Sequence, residues 1–420
     1  MNAVSRKSLA LLLVTGLAGC AMSDDGTRAE SARQQALSML GSFPAKQPAA
    51  PDSEAKSKDD PPDVTVFLIG DAGAPAEGHE PVLEALEKAA SEDARRNVIV
   101  FLGDNVYPDG MPDSLAPGRK EAERRINMQL DVIKQSKARG IFIPGNHEWG
   151  GISGRDGWNQ VVREGAYITS KGGTIVPTPG CPGPAVVDVG TTLRLVMLDT
   201  KWWLRRSGPP ESARKTVPCA FASEKSVLDS LKGVLRSTGD RHAILMSHHP
   251  VASAGEHGGF FSEETENYPL TSLKSWMRVP LPMIGSVYIA ARRMGLSEQD
   301  LTSPTYSRMI RSILGTFSKD EPFIYAAGHD HDLQVLQFEG VPKYELVTGS
   351  GVFGHVSNVA KISSTRYAKA ESGYMRVRAW ADGRIRITVF TVDIKGQTSE
   401  VFDEWASQAR NKKPEAKHAD

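Results

Sequence analysis

Residues 64–73 read VTVFLIGDAG, an apolar run that ends in a small polar turn. This arrangement recurs along the chain. Similar apolar runs predict buried strands at Asn97–Leu102, Ile141–Ile143, Leu193–Leu198, Ala243–Met246 and Phe323–Ala327. Helical patterns lie between several of them, at Glu80–Ser91, Arg119–Lys137 and Ser223–Leu235. The alternation of strands and helices predicts an α/β fold whose sheet is covered on both faces.

Five of the predicted strands run directly into short polar motifs. These motifs are Gly70-Asp71-Ala72-Gly73, Gly103-Asp104-Asn105-Val106-Tyr107, Gly145-Asn146-His147-Glu148, Ser247-His248-His249-Pro250 and Gly328-His329-Asp330-His331. Because open α/β sheets bind ligands outside the carboxyl ends of their strands, we expect the five motifs to converge. Asp, Asn, His and Tyr side chains together form a cluster of oxygen and nitrogen donors that suits metal ions. Each motif alone is weak evidence for a metal site, so the prediction rests on the occurrence of all five motifs in this order.

In this order the motifs resemble those of the calcineurin-like metallophosphoesterases, and among them the purple acid phosphatases, across roughly Val64 to Val392. Gly73 stands where the wider superfamily has a His, and Tyr107 replaces the missing ligand, as in purple acid phosphatases. The stretches 250–253, 256–258 and 328–334 are similar to the small, animal-type, tartrate-resistant form. The resemblance implies a four-layer α/β/β/α sandwich, with two mixed β-sheets flanked by helices.

The resemblance also implies a dinuclear metal centre. One ion would be bound by Asp71, Asp104, Tyr107 and His331, and the other by Asp104, Asn146, His248 and His329, with Asp104 bridging. A phenol has a pKa of ~10, so a phenolate ligand at neutral pH requires a strong Lewis acid, which favours Fe(III) in the first position. The neutral ligands of the second position favour a divalent ion such as Fe, Zn or Mn.

Two further histidines, His147 and His257, lie at positions that line the substrate pocket in the family. The resemblance implies that they are the catalytic residues, which bind phosphate oxygens and protonate the leaving alkoxide. His249 is expected only to shape the pocket, and Asp199 is given no direct role. The remaining histidines match no motif and are expected to be surface or structural residues: His79, His242, His355 and His418.

The predicted activity is therefore hydrolysis of phosphate monoesters by a Fe(III)–M(II) centre. A phosphodiesterase or nucleotide hydrolase with the same site is the alternative among enzymes, and a cell-surface binding lipoprotein with an inactive site is the alternative of another class. The chain departs from the animal-type pattern in an insertion at about residues 258–320. We expect this insertion to pack on the domain surface, rather than to cap the pocket or to contact lipid headgroups.

The composition excludes several other classes of protein. The chain has 420 residues, of which 40% are hydrophobic and 24% charged, which argues against general disorder and against a multi-span membrane protein. Its 50 basic and 50 acidic side chains give no electrostatic reason to expect a nucleic-acid partner. Cys181 and Cys219 both lie beside prolines in loop-like stretches, and in an oxidising compartment they are expected to form a disulfide.

The N-terminus indicates the compartment. A short apolar run ends in Leu17-Ala18-Gly19-Cys20, which resembles a bacterial lipobox and implies cleavage before a lipid-modified Cys20. A plain secretory signal is the alternative. We therefore expect a lipoprotein of the bacterial cell envelope, anchored to the outer membrane and facing the periplasm or the surface. The predicted domains are a signal peptide (1–19), a flexible tether (20–62), a catalytic domain (63–400) and a polar tail (401–420).

Overall fold

The structure is a computed structural model that describes residues 60–151, 156–205, 219–220, 223–272 and 277–408. The predicted signal peptide, Cys20, all of the tether before Asp60, and the tail from residue 409, including His418, lie outside the described residues. None of the helices in the described ranges is long and apolar enough to cross a membrane.

The first of two sheets is built around the stretch that opens the ordered region. Its strands are β1 (Val64–Ile69), β2 (Asn97–Phe101), β3 (Arg139–Phe142), β11 (Gly373–Ala379), β12 (Ile385–Val392) and β13 (Thr398–Ser407). Their order is β13-β12-β11-β1-β2-β3. Strands β1, β2 and β3 are parallel, whereas β11, β12 and β13 are added in antiparallel fashion. The sheet is therefore mixed, with its three parallel strands ending at the same edge.

The second sheet contains seven strands in the order β10-β8-β9-β7-β6-β5-β4. These strands are β4 (Ala185–Val189), β5 (Leu193–Met197), β6 (His242–Met246), β7 (Ile324–Ala327), β8 (Leu333–Gln337), β9 (Tyr344–Thr348) and β10 (Thr365–Lys369). Strands β5, β6, β7 and β9 are parallel, and β4, β8 and β10 pair antiparallel. This sheet is also mixed, and its parallel strands form the centre.

Helices cover the outer faces of both sheets. The helices of the described part are α1 (Pro81–Ser91), α2 (Arg119–Ser136), α3 (Gly157–Ser170), α4 (Lys201–Leu204), α5 (Glu224–Arg236), α6 (Glu263–Asn267), α7 (Pro282–Arg293) and α8 (Pro304–Leu314). Side chains of α1, α2 and α3 pack on the first sheet, and those of α4, α5 and α8 pack on the second. The predicted four-layer α/β/β/α fold is confirmed.

The alternation of side chains along the strands explains this layering. In β1, Val66 and Leu68 face the core between the two sheets, whereas Phe67 and Ile69 face the helices. Both sets are buried, since successive side chains of a strand point to opposite faces. A strand that is buried on both faces has a continuous apolar sequence, which is why these runs could be read directly.

Strands β11 and β12 form a hairpin around residues 381–383. Cys181 and Cys219 form the expected disulfide. The predicted boundary at residue 400 differs from the structure, because β13 continues to Ser407 and pairs with β12. Residues 401–407 therefore belong to the sheet and not to a polar tail.

Candidate metal centre

The predicted ligands lie where the two sheets meet. Asp71, Asp104 and Asn146 follow β1, β2 and β3 of the first sheet, and His248 and His329 follow β6 and β7 of the second. The carboxyl ends of both parallel sets thus point into one region, as expected for ligand-binding residues of α/β folds. All seven residues predicted as ligands are in the described part of the chain, and the structure brings them together.

Glycines make this close approach possible. A Cβ atom on Gly70 would lie 2.9 Å from Cα of Gly328, which is the corresponding residue at the end of β7. A Cβ atom on Gly328 would lie 2.5 Å from Oδ2 of Asp71. Neither position has room for a side chain, so the two sheets can approach each other here only through glycine.

Three candidate ligands adopt a backbone conformation that non-glycine residues rarely use. The φ angles of Asp71, Asp104 and His329 are 57°, 55° and 73°. Each such residue costs roughly 1–3 kcal/mol, and the surrounding structure must hold it in place. One such support is the backbone N–H of His329, which donates to Oδ2 of Asp71 over 2.8 Å. Backbone strain of this kind clusters at functional sites.

The first donor group surrounds the hydroxyl oxygen of Tyr107. This oxygen lies 2.8 Å from Oδ1 of Asp71, to which it donates, and 3.2 Å from Oδ2 of Asp104. It also lies 3.1 Å from Nε2 of His331. The same imidazole nitrogen is 3.3 Å from Oδ1 of Asp71. Three oxygens and one nitrogen therefore converge on a single point.

The second donor group surrounds the side-chain oxygen of Asn146. This oxygen lies 2.9 Å from Nε2 of His248 and 3.1 Å from Nδ1 of His329. Nε2 of His248 is also 3.3 Å from Oδ2 of Asp104, the oxygen that lies beside Tyr107. One atom of each of Asp71, Asp104 and His248 lies within 4.8 Å of the others, close enough to hold a metal ion. Asp104 is thus shared by both groups.

The electrostatics of the site favour a cation. Burial raises the pKa of the Tyr107 phenol well above its ordinary value, and the charges of Asp71 and Asp104 raise it further. Burial alone would lower the pKa of His248, but Asp104 and Asp71 raise it to about 10. The negative potential at this point attracts positive charge, and loss of the phenol proton would require a cation beside it. The donor set therefore fits metal ions.

Glu148 holds two of the motifs together and was given no role in the sequence analysis. Its Oε1 accepts from the backbone N–H groups of Asn105 (2.8 Å) and Val106 (3.1 Å). Its Oε2 accepts from those of Asp104 (2.9 Å) and Gly145. The carboxyl group is fully buried. Its position directly after His147 in the third motif is the only sequence signal that could have identified it.

The two predicted catalytic histidines border the donor groups. Nε2 of His147 lies 3.7 Å from Oδ2 of Asp104, and its Nδ1 contacts the carbonyl oxygen of Pro108. The ring of His257 stacks on that of His329, with centroids 4.0 Å apart. The backbone N–H of His257 donates to Oδ1 of Asp330 over 2.9 Å. Both histidines are therefore beside the site without being among its closest donors.

Two further histidines, His355 and His249, are close to the donor groups or buried near them. His355 was expected to be a surface or structural residue, but its ring is 4.0 Å from that of His331 and 5.2 Å from that of Tyr107. It belongs to the wall of the site. His249 is buried, with Nδ1 2.8 Å from Oγ1 of Thr200, and burial and the charge of His248 lower its pKa.

Two of the remaining histidines and Asp199 lie in other contacts. His242 and His79 pair with Glu321 and Glu84. Asp199 accepts from the indole N–H of Trp149 over 2.9 Å, so its contacts are structural.

Comparison with known protein families agrees with this fold. Residues 64–272 match the family model of the calcineurin-like phosphoesterases. This part of the chain, just under half of its length, is similar to a calcineurin-like phosphoesterase domain. Two of the candidate ligands, His329 and His331, lie beyond the matched residues.

Two solved structures illustrate the similarity. One is GAP50, described as the anchor in the inner membrane complex of Plasmodium, with 15% identity, coverage of 83% of this chain and 90% of the other, and a TM-score of 0.48. The other is the purple acid phosphatase PPD1 from yellow lupin, with 13% identity, coverage of 80% of this chain and 52% of the other, and the same TM-score. This chain thus spans about half the length of the lupin protein. No curated protein matches the sequence significantly.

Proposed function

We propose that the protein hydrolyses phosphate monoesters at a dinuclear metal centre of the purple acid phosphatase type. The observation that carries the proposal is the shared position of Asp104, whose Oδ2 lies 3.2 Å from the Tyr107 hydroxyl and 3.3 Å from Nε2 of His248. One carboxylate between two donor groups is what a pair of neighbouring ions requires.

The two donor groups differ in charge. Asp71, Tyr107 and His331 on one side include a carboxylate and a phenol, which suits Fe(III). Asn146, His248 and His329 on the other side are neutral donors, which suit a divalent ion such as Fe, Zn or Mn. When bound, two such ions supply positive charge to the phosphoryl oxygens and make a water molecule more acidic.

The contribution of the chain itself comes from His147 and His257. Both rings lie beside the donor groups, where they can bind phosphate oxygens and pass a proton to the leaving alkoxide. Nδ1 of His147 contacts the carbonyl oxygen of Pro108, and Nε2 of the same ring is on the side of Asp104. All seven ligand positions hold donor side chains, which argues against an inactive binding protein.

The metal content and the visible absorption spectrum of the wild type and of Tyr107→Phe test the proposal. We expect two ions per chain, and an oxidised protein with a visible phenolate-to-Fe(III) charge-transfer band that disappears in Tyr107→Phe. A two-metal protein that is colourless when oxidised would refute the iron assignment.

A panel of phosphomonoesters, phosphodiesters and nucleotides tests the reaction. We expect the metal-loaded protein to prefer monoesters. If diesters or nucleotides were hydrolysed much faster, the protein would be a phosphodiesterase or nucleotide hydrolase with the same site. His257→Ala should reduce monoester hydrolysis by ~10²–10⁴-fold while both metals stay bound, because this residue is not among the ligands.

We also propose that the protein is a bacterial lipoprotein. The support is the lipobox-like stretch that ends at Cys20, followed by a tether whose composition cannot form a core. Cys20→Ala should release the protein from membranes or prevent its processing, while the hydrolase activity of the domain persists. An unmodified N-terminus in the mass spectrum of the mature chain would refute lipidation.

A further inference from the structure

The insertion, expected to pack on the surface, reaches the candidate metal centre. Three consecutive residues after α7 contact the two stacked histidines. The carbonyl oxygen of Gln299 lies 2.8 Å from Nε2 of His329, and Oδ1 of Asp300 lies 2.9 Å from Nδ1 of His257. The backbone N–H of Leu301 donates to the carbonyl oxygen of His257 over 3.0 Å. The expectation of surface packing is therefore incomplete.

Asp300 is itself held firmly. It is 1% exposed, and its Oδ2 accepts from Nε of Arg292 over 2.6 Å. A second nitrogen of Arg292 contacts its Oδ1, so the guanidinium binds the carboxylate through both oxygens. Arg292 is fixed in turn, because its guanidinium carbon lies 4.9 Å from the ring centroid of Phe261 and one nitrogen donates to the Tyr288 hydroxyl.

From this geometry we infer that Asp300 of the insertion is a positioning residue for His257: its carboxylate fixes the ring so that Nε2 faces a phosphate ester. The inference rests on the proposed function. Nδ1 lies 2.9 Å from Oδ1 of Asp300 and 3.2 Å from Nη2 of Arg292, which can only donate. A carboxylate accepts but does not donate, so the shorter contact places a proton on Nδ1. Nε2 then remains for the substrate, and it can pass a proton to the alkoxide when the ring is in the imidazolium form, in which both nitrogens are protonated.

The charge of Asp300 is consistent with this role. Burial alone would raise its pKa, but hydrogen bonds from Arg292 and His257 hold the pKa below its ordinary value. Asp300 is therefore a carboxylate at neutral pH. The stacking of His257 on His329, with 26° between the ring planes, restrains the same ring from its other side.

A double-mutant cycle tests whether Asp300 acts through His257. The full-length, metal-loaded protein is compared as wild type, Asp300→Asn, His257→Ala and the double variant. The matched control is Glu263→Gln, a change of an exposed residue of α6 in the same insertion. Asp300→Asn should reduce kcat for an alkyl phosphate by roughly 10–100-fold and for an aryl phosphate by less. The same change should have no further effect once His257 is Ala. Glu263→Gln should leave both rates unchanged.

Two measurements separate positioning from general damage. Metal content should be unchanged in Asp300→Asn, and nitrogen NMR of His257 should change from the Nδ1-protonated form to a mixture of tautomers. If the effects of Asp300→Asn and His257→Ala multiply, or if the tautomer stays the same, the inference is wrong. If the wild type hydrolyses no phosphate ester, the proposed function fails. The NMR comparison then still shows whether Asp300 fixes the ring.

Discussion

Replacing Glu148 by Gln should destabilise the protein far more than its small change in size suggests. The four backbone N–H groups of Asp104, Asn105, Val106 and Gly145 donate to the two carboxyl oxygens of Glu148. Two N–H groups donate to each oxygen. The Gln side chain keeps one of these oxygens, but its NH₂ group faces the two N–H donors of the other oxygen, and these lose their acceptor. At roughly 1–3 kcal/mol for each buried donor that loses its partner, two orphaned donors cost roughly 2–6 kcal/mol. That is a large fraction of the stability of an ordinary domain.

Burial and the charge of Asp104 raise the pKa of Glu148 to about 8, so the assay is urea unfolding at pH 9, where Glu148 is a carboxylate, with Glu164→Gln as the control. Glu164 is also fully buried, and burial and the charge of Glu148 raise its pKa well above the ordinary value. Its Oε1 accepts from Nδ2 of Asn105, which the side-chain oxygen of Gln can also do. The change at Glu164 should be much smaller. If both variants unfolded at the wild-type urea concentration, the assignment of Glu148 as the support of two motifs would be refuted.

Two further perturbations follow from the geometry. Gly328→Ala places a Cβ atom 2.5 Å from Oδ2 of Asp71 and should lower metal content, whereas Gly233→Ala, in a helix with open space around it, should raise the free energy of unfolding by roughly 0.5–1 kcal/mol. Equal metal content in the two variants would contradict the close approach. Burial raises the pKa of Asp199 from 3.8 to about 7 despite its bond to Trp149. The folded state thus keeps a proton that the unfolded state loses, so the free energy of unfolding falls by roughly 3 kcal/mol as pH rises from 4 to 7. Denaturation of Asp199→Asn across this range should show a flatter pH dependence, and an unchanged one would contradict the assignment.

The central strands could be predicted because burial on both faces leaves an uninterrupted apolar sequence. The edge strand β13 could not, since its sequence mixes charged and apolar residues and its side chains are mostly half-buried. Its conformation depends on pairing with β12, and the partner cannot be read from the local sequence. The same limit explains why the tail was predicted to begin too early.

The part of the candidate site that follows the strand ends could also be predicted, whereas the part that depends on tertiary packing could not. The ligands follow strand ends, so chain position alone places Asp71 and Asp104 at one edge. Asp300 and His355 lie outside every motif and reach the site only through tertiary packing. No short pattern in the sequence identifies residues of that kind.

The position of the site has a consequence for folding. Tyr107 and Asn146 follow β2 and β3 of the first sheet, and His248 and His331 follow β6 and β7 of the second. An ion bound between them would join two layers that otherwise adhere through apolar side chains. Part of its binding free energy would become folding free energy, because the donors meet only when both layers are complete. A chelator would then loosen the sandwich at the edge where the parallel strands end, and metal supply would affect the lifetime of the folded protein.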